Sequence, residues 1–346
     1  MDWPTVLTEL TAHRDLTPEQ AAWAMTEIMN DGATPSQISA FGVALKMKGP
    51  SPTEVRALAD VMLGMTTPVP FTGRAIDIVG TGGDRSHSVN ISTMSAIVVA
   101  AAGVKVVKHG NRAASSKSGG ADCLEALGVA IGLGADAVAT TVEELGIGFC
   151  LASVFHSGLR FAGATRREIG IPTVFNVLGP LTNPARPTVG LVGCAFADLA
   201  PTVAQAFAER GDDVLVVRGD DGLDELTTAS TSTVWRVHGG GVVTETVDPT
   251  VLGLPRVSLD DLRGGDAAVN AQVARDLLAG REGPVRDAVL LNSAGALAAY
   301  DGFGDGETVT DALRRQLDRA SEAVDSGAGA DLLERWVTRS RELAAS

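Results

Sequence analysis

Cysteine is scarce, with only Cys123, Cys150 and Cys194 in 346 residues. The number is odd, the spacing is wide and no C-x-x-C pair occurs, so neither a disulfide framework nor a zinc site is expected. Long apolar runs are also missing. The longest aliphatic stretch, 96–104, contains a glycine and falls far short of the ~20 residues that a bilayer-spanning helix needs. Basic residues are outnumbered, 28 against 42 acidic ones, and the formal charge of −14 opposes generic attraction to nucleic acid or an anionic membrane. Any phosphate-binding site must therefore be local. At the N-terminus Asp2 stands where a signal peptide would carry basic residues, and no apolar segment follows, so a cytoplasmic location is expected. No stretch rich in Pro, Gly or Ser marks off an independent C-terminal domain.

Apolar residues at 45% and charged residues at 20% describe a globular chain, and its length suggests about two domains. The forty glycines exceed the usual share and cluster in particular loops, which is where chemistry is to be sought.

The first seventy residues repeat one helix-start signature three times: Thr17-Pro18-Glu19-Gln20, Thr34-Pro35-Ser36-Gln37 and Ser51-Pro52-Thr53-Glu54. Each pairs a hydroxyl N-cap with proline at the first helical position and Glu or Gln at the third. Apolar residues follow at helical spacing, so 1–70 reads as an all-helical unit. From Ala75 the pattern changes. Short apolar strands are expected over 76–79, 104–107, 148–152, 189–195 and 214–217, with helices between them over 92–102, 121–127 and 199–210. Such alternation argues for an α/β domain over 71–346 with a central, mostly parallel sheet flanked by helices, whose ligands sit at the carboxyl ends of the strands. Helices are expected again over 288–300, 310–324 and 332–343.

Four segments carry candidate chemistry. The first strand runs into Gly80-Thr81-Gly82-Gly83-Asp84, and Ser88, Asn90, Ile91, Ser92 and Thr93 lead into an apolar helix. Glycines let backbone N–H groups turn inward around an anion, and a helix N-terminus adds its dipole. No lysine follows, so this is not the G-x-x-x-x-G-K-[ST] loop, nor is it the dinucleotide fingerprint. The second strand leads into what reads as a loop, Lys108-His109-Gly110-Asn111-Arg112-Ala113-Ala114-Ser115-Ser116, whose cations suit a phosphate or diphosphate. The third segment, Asp220-Asp221-Gly222-Leu223-Asp224-Glu225, packs four carboxylates into six residues. It reads either as an acidic turn or as ligands for magnesium. The fourth couples Arg166-Arg167-Glu168 with the proline-bearing stretch 175–184, and one arginine fork there could grip a planar carboxylate.

In this order and on these strands, the segments closely resemble those of the anthranilate phosphoribosyltransferases, over essentially the whole chain. The motifs that carry the likeness are Gly80 to Asp84, Asn90 to Thr93, Lys108 to Arg112, Phe175 to Pro184 and Leu223 to Glu225. The resemblance implies a nucleoside-phosphorylase-like architecture: a helical domain that makes a homodimer contact, joined by a later helical segment near 165–185, and a catalytic α/β domain that binds phosphoribosyl diphosphate. It implies a transfer of the phosphoribosyl group to the amine of anthranilate in tryptophan biosynthesis. It places the sugar diphosphate on Gly80, Gly83, Asp84, Ser88, Asn90 to Thr93, Lys108 to Ser116 and Gly120. It places anthranilate at Gly80, Asn111 and Arg166, and two magnesium ions per subunit at Ser92, Asp224 and Glu225. Lys108, His109 and Arg166 are the expected catalytic residues, with His109 the one candidate base.

Arg85, Ser88, Ser157 and Leu159 depart from the family's usual pattern. A pyrimidine nucleoside phosphorylase of the same architecture would use phosphate without magnesium, and Asp224-Glu225 with Lys108 to Arg112 speak against it. A nucleic-acid-binding relative would need a basic stripe, which the charge of −14 opposes.

Overall fold

Helices α2 (Pro18–Met29), α3 (Pro35–Lys48) and α4 (Pro52–Gly64) begin at the three signatures, and in each the hydroxyl cap and the third residue exchange hydrogen bonds. The structure is a computed structural model describing residues 1–113 and 117–345. A further helix, α1 (Trp3–Thr11), precedes them and has no counterpart among the expected elements; Asp2 caps it by accepting from Thr5 N at 2.9 Å. Glu54 does more than close its capping box. Fully buried, it also accepts from Leu16 N at 2.8 Å and pairs with Lys48 at 2.7 Å, which ties the start of α4 to the preceding turns.

The remainder forms one seven-stranded sheet: β1 (Ile76–Gly80), β2 (Val106–Gly110), β3 (Ile147–Leu151), β4 (Val189–Gly193), β5 (Asp213–Gly219), β6 (Ser232–His238) and β7 (Gly241–Val247). Its order is β3-β2-β1-β4-β5-β6-β7. The first five strands are parallel, as expected; β6 and β7 are antiparallel and add to the expected set. Their signal is present, since alternating residues flank Gly239-Gly240, both at positive φ, and such a pair closes a two-residue hairpin whose twist matches the strands. The second strand is also displaced from its expected span. It starts at Val106 and continues through Lys108 and His109, which are 3% and 2% exposed.

Helices α5 (Ile91–Ala101), α6 (Gly120–Leu127), α7 (Ala135–Leu145), α8 (Ala152–Phe155), α9 (Arg160–Ile169) and α10 (Ala200–Arg210) connect the parallel strands, and α11 (Ala267–Leu278), α12 (Pro284–Asp301), α13 (Val309–Asp325) and α14 (Ala328–Ala345) complete the chain. Strand periodicity sorts the core. Ile76, Ile78, Leu191, Leu215 and Val217 point to one face and pack with α5 and α11 to α14. Val79, Val192, Val214 and Val216 point to the other and share a cluster with Trp3, Met25, Phe41 and Leu58 of the N-terminal helices. The helical unit is thus pressed onto one sheet face, and α9 packs on α2 and α3. Among the described residues no helix is long and apolar enough to cross a membrane.

Candidate functional site

Strand β1 lies between β2, which follows it, and β4, which the chain reaches only after returning from β3. A crevice opens at the carboxyl ends of two strands where the direction of winding reverses. Gly80 and Gly193 are paired at that end. The Gly80 to Asp84 loop therefore leaves the sheet at its switch point, and Thr81 N donates to Gly193 O at 2.9 Å to hold it there.

Asp224 enters the same crevice from the segment after β5. Its Oδ2 accepts from Gly82 N at 2.7 Å, a contact between residues 142 apart in sequence. A Cβ on Gly80 would lie 2.3 Å from that oxygen, so the absence of a side chain there is what admits the acid. Carboxylate oxygens of Asp84, Asp224 and Glu225 lie within 4.8 Å of one another. Burial pushes the Asp224 carboxyl up to about 6, with the Asp84 charge adding to the effect, and pushes Glu225 further up. Glu225 Oε2 is buried without a partner.

The four acids of 220–225 divide between the two readings of that segment. Asp220 accepts from the hydroxyls of Thr231 and Thr233, while Asp221 accepts from Leu223 N and from Thr227 Oγ1 at 2.6 Å. Those two carboxylates satisfy the local turn. The third member of the cluster is Asp84, from the glycine loop, and Ser86 Oγ donates to it at 2.6 Å. Ser86 Oγ, its one proton given to Asp84, accepts from Ser88 Oγ at 3.2 Å. The sequence placed Asp84 on the sugar diphosphate and not among the metal ligands, because its distance from Asp224 is set by strand order.

Lys108 and His109 do not belong to an exposed loop, contrary to the sequence reading. As neighbours in β2 they face opposite sides of the sheet. The Lys108 ammonium donates to Ile78 O and to Ser92 Oγ, the latter at 3.2 Å. Burial pulls its pKa down, opposed by Asp77, Glu225 and Asp224. These contacts explain how a cation can occupy a strand interior. His109 N donates to Asp77 Oδ1 at 3.0 Å, and its Nδ1 lies 3.0 Å from Gly179 O. A carbonyl only accepts, so Nδ1 carries the proton and Nε2, buried and unpartnered, presents a lone pair. The His109 and His156 rings meet edge to face at 5.2 Å. Burial, reinforced by His156, lowers the His109 pKa to about 3.

The 175–184 stretch is anchored beneath this pair. Asn183 Nδ2 donates to Asp77 Oδ2 at 2.9 Å and to Val107 O at 2.7 Å, and His156 Nε2 contacts Thr182 O at 2.7 Å. Asp77 was not singled out from the sequence. An acid inside the apolar run Ile76-Asp77-Ile78-Val79 was the available signal, because a buried carboxylate demands partners.

Arg166 sits on α9 with its guanidinium 5.6 Å from the centre of the Phe175 ring. Burial lowers its pKa, and among the described residues no carboxylate pairs with it. Arg112 is different: its guanidinium is engaged by Glu125 at 2.7 and 2.9 Å and by Asp122 at 2.9 Å. Asp122 Oδ2 also accepts from Ala113 N and Gly119 N, both at 2.9 Å. Asn111 Oδ1 accepts from Arg112 N at 2.8 Å. Gly110 ends β2, and Gly120 opens α6 beside Thr93, whose Oγ1 is buried without a partner. Ile91, fully buried, starts α5, and Gly83 follows Gly82 in the first loop. Ala114, Ser115 and Ser116 lie outside the described residues.

Two family models match the chain: "Glycosyl transferase family, a/b domain" over residues 72–330, and "Glycosyl transferase family, helical bundle domain" over residues 4–65. The anthranilate phosphoribosyltransferase of Rhodococcus jostii (strain RHA1) is 64% identical over 344 residues, which is 99% of this chain and 95% of the relative. A crystal structure of anthranilate phosphoribosyltransferase from Thermus thermophilus superposes with a TM-score of 0.89 at 38% identity, covering 97% of this chain and 99% of that one. The Saccharomyces cerevisiae enzyme in complex with PRPP and Mg superposes with a TM-score of 0.88 at 26% identity, covering 98% of each chain.

Proposed function

The chain belongs to the anthranilate phosphoribosyltransferase family, and from that premise we infer how its own residues divide the work. The reaction transfers the phosphoribosyl group of 5-phosphoribosyl 1-diphosphate to the amine of anthranilate, releasing diphosphate, in L-tryptophan biosynthesis. The observation that carries the site assignment is the meeting of the Gly80 to Asp84 loop with the Asp224-Glu225 pair at the switch point.

The glycine loop and the N-terminus of α5, with Asn90, Ser92 and Thr93, receive the phosphates of the donor through backbone N–H groups and hydroxyls. Lys108 adds a buried positive charge beside Ser92. Asn111 to Ser116 are assigned to the donor, and Arg112 must exchange its carboxylate partners for phosphate to take part. The acid cluster suits magnesium. Its donors are hard oxygens, and the unpartnered Glu225 Oε2 needs a cation or a proton. Asp84, Asp224 and Glu225, with Ser92, would hold two ions. When bound, magnesium neutralises charge that builds on the departing diphosphate.

The acceptor lies on the opposite side, with its carboxylate on Arg166, a half-buried guanidinium that no described acid occupies. Asn111 and Gly80 border it. His109 orients the amine through the Nε2 lone pair. With a pKa near 3 it is a hydrogen-bond acceptor and too weak a base to carry the proton away. Catalysis then rests on holding the amine in line with the anomeric carbon and stabilising the leaving group. Purified protein mixed with magnesium, phosphoribosyl diphosphate and anthranilate should extinguish anthranilate fluorescence. Full turnover without magnesium would contradict the metal assignment, and no loss of signal with magnesium present would contradict the acceptor assignment.

The working unit is a homodimer built on the helical region. Val43 and Met47, one turn apart on α3, are 37% and 72% exposed, and such a pair forms one apolar stripe. Light scattering that shows a monomer at micromolar concentration overturns this.

A further inference from the structure

Asn270, on α11, is 180 residues away from Asn90 in sequence, yet its Nδ2 donates to Asn90 Oδ1 at 2.9 Å. It is 2% exposed, and its own Oδ1 accepts from Gly265 N at 2.8 Å. That second bond fixes which end of the Asn270 amide faces Asn90. The segment carrying it is fastened to the donor loop, since Val89 N donates to Leu262 O at 2.9 Å and Gly264 N to His87 O at 2.8 Å. Asn90 Oδ1 also accepts from Ser118 Oγ at 3.3 Å, and Asn90 Nδ2 donates to Ser118 O at 3.2 Å.

Asn90 is the N-cap of α5 but makes no capping bond with its side chain. An N-cap asparagine ordinarily turns its oxygen onto the first-turn N–H groups. Here that oxygen is drawn sideways by Asn270, and of the first-turn groups Ile91 N donates to Val89 O at 2.8 Å and Thr93 N to Asn90 O at 3.1 Å, which among the described residues leaves Ser92 N open. An amide nitrogen has two hydrogens, and Ser118 O takes one of them. The other is available to an anion at the helix start.

We propose that Asn270 is a positioning residue for the sugar-diphosphate donor: through Asn90 it holds the amide N–H, and not the amide oxygen, toward the phosphate at the α5 N-terminus. This rests on the reading of Asn90 as a donor contact. Were the Asn270 donor replaced by an acceptor, Asn90 would turn over to pair with it. Its oxygen would then face both Ser118 O and the phosphate, repelling each.

Asn270→Asp keeps the shape and the bond from Gly265 N while reversing the polarity toward Asn90. In the full-length enzyme with magnesium, it should raise KM for phosphoribosyl diphosphate about tenfold or more, the scale of a lost hydrogen bond to a charged group. KM for anthranilate should stay within about twofold. Asn270→Ser, too short to reach Asn90, should shift the same KM in the same direction and serves if the Asp variant folds poorly. The decisive measurement is the double-mutant cycle. Asn90→Ala should itself raise the donor KM, and adding Asn270→Asp to it should change nothing further. If the two effects multiply, or if the Asn270 variants raise both substrates' KM alike with a lowered melting temperature, Asn270 is merely structural and the proposal fails. If Asn90→Ala leaves donor KM unchanged, the assignment of Asn90 to the donor site fails first, a result distinct from a broken relay.

Discussion

Gly193 and Asp224 approach so closely that a Cβ on the glycine would lie 1.5 Å from the Asp224 carbonyl oxygen. The contact is with backbone, which cannot swing aside as a long side chain can. The position of the acid pair is therefore set by the end of β4. Gly193→Ala should push the Asp224-Glu225 segment out of the crevice and cost about 1–3 kcal/mol of stability, the usual scale of overpacking. Denaturant melts measure the stability. Activity across a magnesium titration should show a raised metal requirement, and an unchanged requirement would mean that the segment relaxes without moving its carboxylates.

Arg166→Ala should weaken the use of anthranilate and spare the donor. A charge-assisted hydrogen bond contributes about 1.5–3 kcal/mol, and at about 1.4 kcal/mol per decade the loss is roughly tenfold to 150-fold. Kinetics with each substrate varied in turn separate the two sides of the site. A defect confined to phosphoribosyl diphosphate would remove Arg166 from the acceptor side.

Glu225→Gln separates folding from function. The folded protein disfavours the charged carboxylate, because burial and the neighbouring Asp224 charge raise its pKa. A neutral isostere should leave the metal-free protein as stable as the parent or more so. Turnover should fall, and the stabilisation by magnesium with diphosphate should shrink. Thermal melts with and without these ligands test both halves, and retention of the full magnesium effect would free Glu225 from its assigned role.

His109 gives a pH dependence whose sign follows from its depressed pKa. Between pH 6.5 and about 3 the unfolded chain takes up a proton that the folded site refuses. Its contribution to stability is therefore full above pH 6.5 and is lost as the pH falls. At pH 5 the loss is about 2 kcal/mol, taking 1.36 kcal/mol per pH unit. Asp77, raised to about 6, works in the opposite direction between pH 4 and 6. His109→Gln should remove the first effect alone, so its denaturation midpoint should fall less than the parent's between pH 7.5 and 5. The parent's kcat should show no inflection near 6.5 from His109.

Features that depend on neighbours along the chain were legible in the amino-acid order. Three capping boxes start three helices because each closes within four residues, and five parallel strands were readable because apolar runs alternate with helical spacing. The glycine loop and the Asp224-Glu225 pair were visible for the same reason, each being contiguous. Which of these groups meet is a matter of packing. Asp220 and Asp221 share a segment with Asp224 yet turn away into threonine hydroxyls, while Asp84, far off in sequence, joins it, because the order β1-β4-β5 brings those strand ends together. Lys108 and His109 read as a charged loop when taken residue by residue. Only the packed sheet supplies the oxygens of Ile78, Ser92 and Asp77 that let them continue a buried strand. Asn270 carries no local signal at all, since an amide acquires its meaning from the atom it faces, and that atom arrives from a strand-to-helix junction 180 residues earlier.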